Sequence, residues 1–117
     1  MPTPQWTEVG TSSANTAKTT TRAAVLNQRH YITAIDVIVR GATAANDIRI
    51  ELRDGSTVEW NTYIGSGKVQ GERYAMVWPA TDEVDGVQLS VNTAANLVVA
   101  AGGASVITEA NISGYTK

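Results

Sequence analysis

Apolar and polar residues alternate along much of the chain after residue 20, and this alternation predicts strands. It is clearest in residues 47–53, where every second residue is apolar and the residues between carry charge. A period of two places the apolar residues on one face of a strand and the charged residues on the other. The two sets are Ile48, Ile50 and Leu52 against Asp47, Arg49, Glu51 and Arg53.

The dipeptide Asp54-Gly55 follows this segment directly and predicts a hairpin turn. Glycine adopts positive φ at no steric cost, and Asp-Gly between two alternating runs is a strong hairpin signal. After the turn, Val58 and Trp60 alternate with polar residues. We therefore expect Val58 and Trp60 to lie on the core face of the second strand, with Glu59 on the charged, solvent-facing side.

Further strand-like runs occur between turn residues, and none of them shows the 3.6-residue period of a helix. The strongest is residues 31–39, where the odd-numbered residues are predicted to share one face, although Ile32 and Ile38 lie on the other. Short strands that follow one another at intervals of about 8–12 residues are typical of a sandwich or barrel. The predicted strands are residues 20–26, 31–39, 47–53, 57–64, 74–78, 87–92, 96–100 and 105–115.

The first twenty residues differ from the rest of the chain in composition. They contain Pro2 and Pro4 and a segment rich in Ser, Thr, Asn and Ala, with little apolar bulk apart from Trp6 and Val9. Such a segment cannot offset its ordering entropy by itself. We predict an extended N-terminal arm over residues 1–20 and a single β-sandwich domain over residues 21–117.

Composition excludes several classes of function. Of 117 residues none is cysteine, so disulfides and thiolate chemistry are ruled out. The formal net charge of −2 argues against a nucleic-acid partner, which would call for a basic excess. No apolar run approaches the ~20 residues that span a bilayer, so no membrane partner is expected. The N-terminus lacks signal-peptide features, which indicates synthesis in the cytoplasm.

Candidate catalytic and metal-binding residues are few. His30 is the only histidine and is predicted to be a loop residue, since no nucleophile or orienting group accompanies it. The acidic cluster of residues 82–85 resembles part of a calcium loop but lacks the distal glutamate, so a solvated turn is favoured. The glycine-rich loop 65–71 joins two strands and opens no helix, which argues against phosphate binding. No enzyme activity and no cofactor are expected.

Four aromatic residues offer an alternative function as a platform for a sugar. Trp60 and Trp78, with Tyr63 and Tyr74, would have to expose their rings to serve this role. Trp60 is expected in the core, and Trp78 either in the core or on a contact surface. A carbohydrate-binding module therefore stays an open alternative.

The order of these segments resembles small virion structural proteins of tailed bacteriophages. The resemblance is carried by a polar leader, the strand 31–39, the small-residue loop 41–45, the segment Asp54-Gly-Ser-Thr-Val-Glu-Trp60 and the terminal Gly114-Tyr115-Thr116. It covers residues 20–117 in pattern. The polar and charged loop 68–73 departs from it, because an apolar strand usually follows a glycine-rich connection there.

This resemblance implies a jelly-roll-like antiparallel β-sandwich that decorates or cements a capsid, commonly as a homotrimer. The expected partner is the major capsid protein, and the expected location is the capsid exterior of the virion. Pro4, Gln5 and Trp6 would form the capsid-contact arm; alternatively, Trp6 covers the open end of the sandwich. The other function left open is a tail-fibre or baseplate sandwich that binds host glycan.

Overall fold

The computed structural model describes residues 5–67, 71–78 and 86–117. These residues form nine β-strands, and none of them is helical. The strands are β1 (Gln5–Thr11), β2 (Lys18–Arg22), β3 (His30–Arg40), β4 (Ile48–Asp54), β5 (Thr57–Ile64), β6 (Arg73–Val77), β7 (Val87–Gln88), β8 (Ala95–Val99) and β9 (Ile107–Thr116).

The strand pairing describes one long antiparallel hairpin that is rolled up on itself. The first strand pairs with the last, and the pairing then continues inward from both ends of the chain. The pairs are β1 with β9, β2 with β8, β3 with β6, and β4 with β5, and the two-residue β7 stands outside this series. Two further pairings, β3 with β9 and β4 with β8, close the roll. The tip of the hairpin is the predicted turn at Asp54-Gly55, where Gly55 adopts a φ of 61°.

Rolling this hairpin produces two packed antiparallel sheets. Sheet A has the order β1-β9-β3-β6, with β7 also paired to β3, and sheet B has the order β2-β8-β4-β5. This is the arrangement of a jelly roll, in which the paired strands of the rolled hairpin lie alternately in two facing sheets: β1 with β9 in sheet A, β2 with β8 in sheet B, β3 with β6 in sheet A and β4 with β5 in sheet B. The predicted all-β, jelly-roll-like sandwich is confirmed, with nine strands in place of about eight.

The core lies between the two sheets and is almost entirely aliphatic. Central strands β3, β4, β8 and β9 supply most of it, and in β4 the inward apolar residues alternate with outward charged ones as the sequence pattern predicts. Burying each aliphatic side chain stabilises the fold by roughly 1.5–3 kcal/mol. The largest fully buried apolar residues are Ile32, Ile35, Val37, Val39, Ile48, Ile50, Leu52, Leu89, Leu97, Val99 and Ile112.

Irregularities in two strands overturn the predicted faces of their residues. In β5 the register shifts so that Trp60 pairs with Leu52 but Val58 pairs with Arg53, leaving Glu59 as an extra residue. A β-bulge of this kind moves the residues on its two sides to opposite faces. Val58 therefore lies on the charged outer face, and its predicted place in the core with Trp60 is wrong.

Strand β3 contains a second irregularity, between Ile32 and Ala34. After it Ile35 lies on the core face as predicted, but before it the inward residue is Ile32 and Tyr31 lies on the outer face. The prediction that Tyr31 shares a face with Ile35 is thus wrong. Tyr31 is nevertheless buried, and its ring stacks on that of Tyr115 at a centroid distance of 4.9 Å.

The N-terminal segment contributes an edge strand to sheet A. Strand β1 pairs with β9 over its whole length, from Gln5 opposite Tyr115 to Thr11 opposite Glu109. Strand β2 begins at Lys18, before the residue 20 boundary expected from composition. The division into an arm and a separate domain stays a prediction, and truncation experiments test it.

One end of the sandwich gathers the hairpin tip with two loops, and we call it the Gly55 end. The amide of Gly55 donates to the carbonyl of Ala94 at 2.9 Å, and the Asp54 carboxylate accepts from the Ser90 hydroxyl at 2.6 Å. Loop 89–94 is bonded in turn to loop 23–29, since the Asn92 amide donates to the Gln28 carbonyl at 2.9 Å. Strand β1 begins and strand β9 finishes at this same end.

Candidate functional site

Trp6 docks onto its own domain at the Gly55 end. Its indole N–H donates to the Thr116 hydroxyl at 2.9 Å, and its ring meets His30 edge-on at a centroid distance of 5.6 Å. The guanidinium of Arg22 lies 5.0 Å from the centre of the indole ring and also forms an ion pair with Glu8 at 2.8 Å. Strands β1, β2, β3 and β9 thereby meet around one partly buried side chain.

His30 continues this contact into the interior. It is 1% exposed, and its two ring nitrogens lie 2.7 Å from the Thr116 hydroxyl oxygen and 2.8 Å from the Ala23 carbonyl oxygen. A carbonyl only accepts, so Nε2 carries a proton, and in the neutral imidazole Nδ1 then accepts a hydrogen bond from the Thr116 hydroxyl. The result is a directed chain of donations from Trp6 to Thr116, from Thr116 to His30, and from His30 to Ala23.

This chain, which we call the Trp6–His30 relay, uses all the hydrogen-bonding capacity of the imidazole. Among the described residues no carboxylate is bonded to His30, and both ring nitrogens serve to hold strands and a loop in place. The sequence prediction of a loop histidine is wrong, because His30 is the buried first residue of β3. In this arrangement the only histidine of the chain has a structural role.

We expect His30→Ala to destabilise the fold by about 2–4 kcal/mol, because the change leaves a cavity at a buried position and removes the hydrogen bonds to Thr116 and to the Ala23 carbonyl. Urea unfolding followed by tryptophan fluorescence measures the change. Thr7→Ala is the matched control, since it removes an exposed hydroxyl pair with Ser113 in the same sheet. An unfolding midpoint of His30→Ala equal to that of the control would contradict the structural role.

The proposed contact residues Pro4, Gln5 and Trp6 have different surroundings. Pro4 lies outside the described residues. Gln5 is exposed at the start of β1, whereas Trp6 is half-buried in the relay. The contacts of Trp6 agree with the alternative in which it covers the open end of the sandwich. A capsid contact through Pro4, Gln5 and Trp6 stays a prediction.

The aromatic residues considered for sugar binding largely pack on one another. Trp60 contacts Trp78 at a centroid distance of 5.3 Å in a T-shaped arrangement and Tyr74 at 5.9 Å. Since β5 and β6 are facing edge strands of the two sheets, this cluster closes one open side of the sandwich. Tyr63 alone points outward, where it accepts a hydrogen bond from Arg49 at 2.8 Å.

The outer face of sheet B carries the mixed charges that the alternation predicts. Glu51 lies between Arg49 and Arg53 on β4, at 3.6 and 2.9 Å from their guanidinium nitrogens. Its carboxylate is thus shared by two arginines, which leaves a local excess of one positive charge. Pairs at a surface contribute at most about 1 kcal/mol, so this face offers polar contact more than stability.

Sheet A carries a charge pair on its outer face as well. The two guanidinium nitrogens of Arg73 that face Asp36 donate to its carboxylate at 2.6 Å each. This hydrogen bonding, helped by the opposite charge, raises the pKa of Arg73 above its ordinary value. The pair ties edge strand β6 to β3.

Two sequence motifs fall largely outside the described residues. The acidic cluster of residues 82–85 lies there entirely, as do residues 68–70 of the glycine-rich loop. Within residues 5–67, 71–78 and 86–117, no group of three His, Asp or Glu side chains is placed to hold a metal ion. The same part of the chain contains no helix long and apolar enough to cross a membrane.

Sequence reasoning missed an exposed apolar surface at the Gly55 end. Val25 and Leu26 were expected in a strand, but β2 ends at Arg22 and both lie in loop 23–29. Leu26 is 79% exposed, and Val25 and Val91 are each more than a third exposed. The signal available in the sequence was Asn27, which follows Leu26 and adopts the left-handed φ that ends a run in a turn.

Comparison with known proteins identifies no relative. The chain matches no protein-family model, no curated protein and no solved structure. The class that the described residues define is a jelly-roll β-sandwich. A fold of this kind carries many functions, so function has to be argued from the surfaces.

Proposed function

We propose that this protein is a virion structural protein of the capsid decoration or cement type, encoded by a tailed bacteriophage. It would be made in the host cytoplasm and bind the capsid exterior. There it would bridge subunits of the major capsid protein through non-covalent contacts and stabilise the shell. No cofactor or nucleic acid takes part.

The observation that carries the proposal is that the histidine and the tryptophan cluster of the chain stabilise the fold. Both ring nitrogens of His30 are hydrogen-bonded within the relay, and the Trp60 cluster closes one side of the sandwich. What the described residues leave available is a set of surfaces on a closed aliphatic core. Jelly rolls also recur among viral capsid proteins, which agrees with the resemblance in strand pattern.

The edges of the two sheets support self-association, which we propose to be trimeric. Strand β1 is an edge of sheet A, and β2 is the neighbouring edge of sheet B. Edge strands present unpaired backbone groups, which natural proteins cover or protect. Packing between copies would cover them, and sedimentation equilibrium of the purified chain measures the copy number.

We expect purified protein to bind expanded capsids that lack it and to raise their resistance to heat. The capsids come from the encoding phage with this gene deleted. Co-sedimentation measures binding, and release of packaged DNA on heating measures stability. The acid- or heat-unfolded chain is the control. Absence of both binding and stabilisation would contradict the cementing function.

The glycan-binding alternative finds less support in the aromatic residues. Trp60, Trp78 and Tyr74 turn toward one another, and a sugar platform needs exposed ring faces. Tyr63 is half-exposed beside Arg49 and is the ring best placed to contact a sugar. Glycan-array binding that disappears in Tyr63→Ala would favour the tail-fibre or baseplate function over cementing.

A further inference from the structure

The turn of the rolled hairpin contains a dipeptide with a reactivity of its own, Asp54-Gly55. An aspartyl side chain can close a five-membered ring on the nitrogen of the next residue, and glycine, which has no side chain, leaves that nitrogen open to approach. The chain has two Asp-Gly dipeptides, Asp54-Gly55 and Asp85-Gly86, and no Asn-Gly. Asp85 lies outside the described residues, whereas Asp54 and Gly55 both lie within them.

The reaction open to this dipeptide is isomerisation of the aspartyl residue. In the carboxylic acid form of Asp54, the Gly55 nitrogen bonds to the side-chain carboxyl carbon, and one carboxyl oxygen leaves as water with the acid proton and the amide proton. Water then opens the succinimide ring that has formed. Attack at the side-chain carbonyl restores aspartate, whereas attack at the backbone carbonyl gives isoaspartate, in which the backbone runs through the side chain and is one carbon longer.

Isoaspartate at this position would alter the part of the fold that joins β4 to β5. Asp54 pairs with Thr57 across the turn and with Ala95 at the start of β8. An added backbone carbon changes the spacing along the strand, and the register of a sheet with one buried face is strongly specified. The lasting integrity of the hairpin therefore depends on keeping the Gly55 nitrogen away from the Asp54 carboxyl carbon.

The nitrogen that would attack is held by the segment that leads into β8. The N–H of Gly55 donates to the Ala94 carbonyl at 2.9 Å, and the carbonyl of Gly55 accepts from the Asn96 side-chain amide at 2.9 Å. Ring closure removes the proton from the Gly55 nitrogen. The hydrogen bond to Ala94 therefore has to break before the nitrogen can react.

The carboxyl group that would be attacked is held by Ser90 in loop 89–94. The Ser90 hydroxyl donates to one carboxylate oxygen of Asp54 at 2.6 Å, and the backbone nitrogen of Ser90 lies 3.2 and 3.1 Å from the two oxygens. Hydrogen bonds to a carboxylate are stronger than those between neutral groups. They keep the side chain of Asp54 turned toward loop 89–94, so its carbon can reach the Gly55 nitrogen only after they break.

We propose that Asp54-Gly55 is a latent site of aspartyl isomerisation and that Ser90 is a positioning residue that keeps it from reacting. Ring closure needs the two reacting atoms aligned at about 3–3.5 Å, and small departures from such geometry slow a reaction strongly. The fold bonds the attacking nitrogen to Ala94 and the carboxylate to Ser90. These hydrogen bonds thus set the chemical lifetime of the hairpin turn, whichever partner the protein binds.

The test compares wild-type protein, Ser90→Ala and Thr93→Ala during prolonged incubation of the folded chains at neutral pH. Digestion with a protease that cleaves before aspartate but not before isoaspartate, followed by mass spectrometry, measures conversion at Asp54. We expect Ser90→Ala to convert Asp54 about three- to tenfold faster than wild type, the factor that one hydrogen bond supplies. Thr93→Ala is the matched control, since its hydroxyl lies in the same loop but bonds the Val91 carbonyl, and it should convert like wild type.

Two further comparisons separate positioning by Ser90 from a general loosening of the loop. Ser90→Thr keeps the hydroxyl and should restore the wild-type rate, and wild type unfolded in urea should convert Asp54 at least as fast as folded Ser90→Ala. Equal rates in wild type and Ser90→Ala, or equal acceleration by Thr93→Ala, would overturn the role of Ser90. A folded wild-type rate equal to the rate in urea would overturn protection by the fold.

Discussion

Gly114→Ala is expected to be among the most destabilising single substitutions in this chain, with a loss of at least about 3 kcal/mol of unfolding free energy. A Cβ at this position would overlap the backbone carbonyl oxygen of Tyr31 and press on the Trp6 ring. Backbone atoms of β3 cannot yield as a flexible side chain can. The strain would therefore separate β9 from β3 or displace β1.

The measurement is urea unfolding of Gly114→Ala alongside Gly65→Ala. Gly65 is the matched control because a Cβ there meets no atom within 4 Å and its backbone is outside the left-handed region. Gly65→Ala should change stability by less than about 1 kcal/mol, with stabilisation the favoured sign. Equal midpoints for the two variants would show that β9 and β3 do not pack as closely as described.

Deletion of residues 1–11 is expected to cost several kcal/mol and to leave a protein that is partly unfolded at room temperature. The deletion removes β1 and exposes the edge of β9 from Glu109 to Tyr115. It also takes Trp6 from the relay, which leaves Thr116 without its indole donor and Arg22 without its ring. The loss combines apolar burial with broken hydrogen bonds.

Circular dichroism and thermal unfolding of this truncated chain measure the effect. Deletion of residues 1–4 is the control, because it leaves every residue of β1 in place. A separable arm predicts the opposite result, namely a folded domain whose capsid binding alone is weakened. That result for the deletion of residues 1–11 would show that β1 is a separable arm and not a part of the domain.

Much of the fold follows from local pattern in the sequence. Alternation in residues 47–53 predicted β4 and its charged outer face, and Asp54-Gly55 predicted the turn that is the tip of the rolled hairpin. These predictions succeed because a half-buried strand in an antiparallel sheet imposes a period of two on its own residues. Turn chemistry is local in the same sense, since it depends on the φ that one residue adopts.

The bulges and the N-terminal strand could not be found in this way. The extra residue Glu59 in β5 has no distinctive chemistry, and only its partner strand shows that Val58 and Trp60 face opposite sides. Strand β1 looked like a loose leader because its residues are largely polar. Its stability comes from pairing with β9, about a hundred residues away along the chain.

The candidate contact residues were also predicted only in part from the sequence. The importance of Trp6 was anticipated from its isolation in a polar leader, whereas its bond to Thr116 and its contact with His30 needed the fold. The exposed apolar surface at the Gly55 end was missed because Val25 and Leu26 were predicted to continue a strand. Their exposure follows from β2 ending at Arg22, where the chain crosses to the other sheet.

The sequence by itself therefore determined the class of the fold, the central strands, the hairpin tip and the absence of cysteine chemistry, because each depends on residues close together along the chain. Only the tertiary structure decided the rolled topology, the two bulges, the burial of His30 and the exposure of Val25 and Leu26 at the end where the N-terminal strand begins. Those features depend on which strands pair across long separations along the chain. The residues of one strand do not identify its distant partner, so the local sequence pattern cannot predict the pairing.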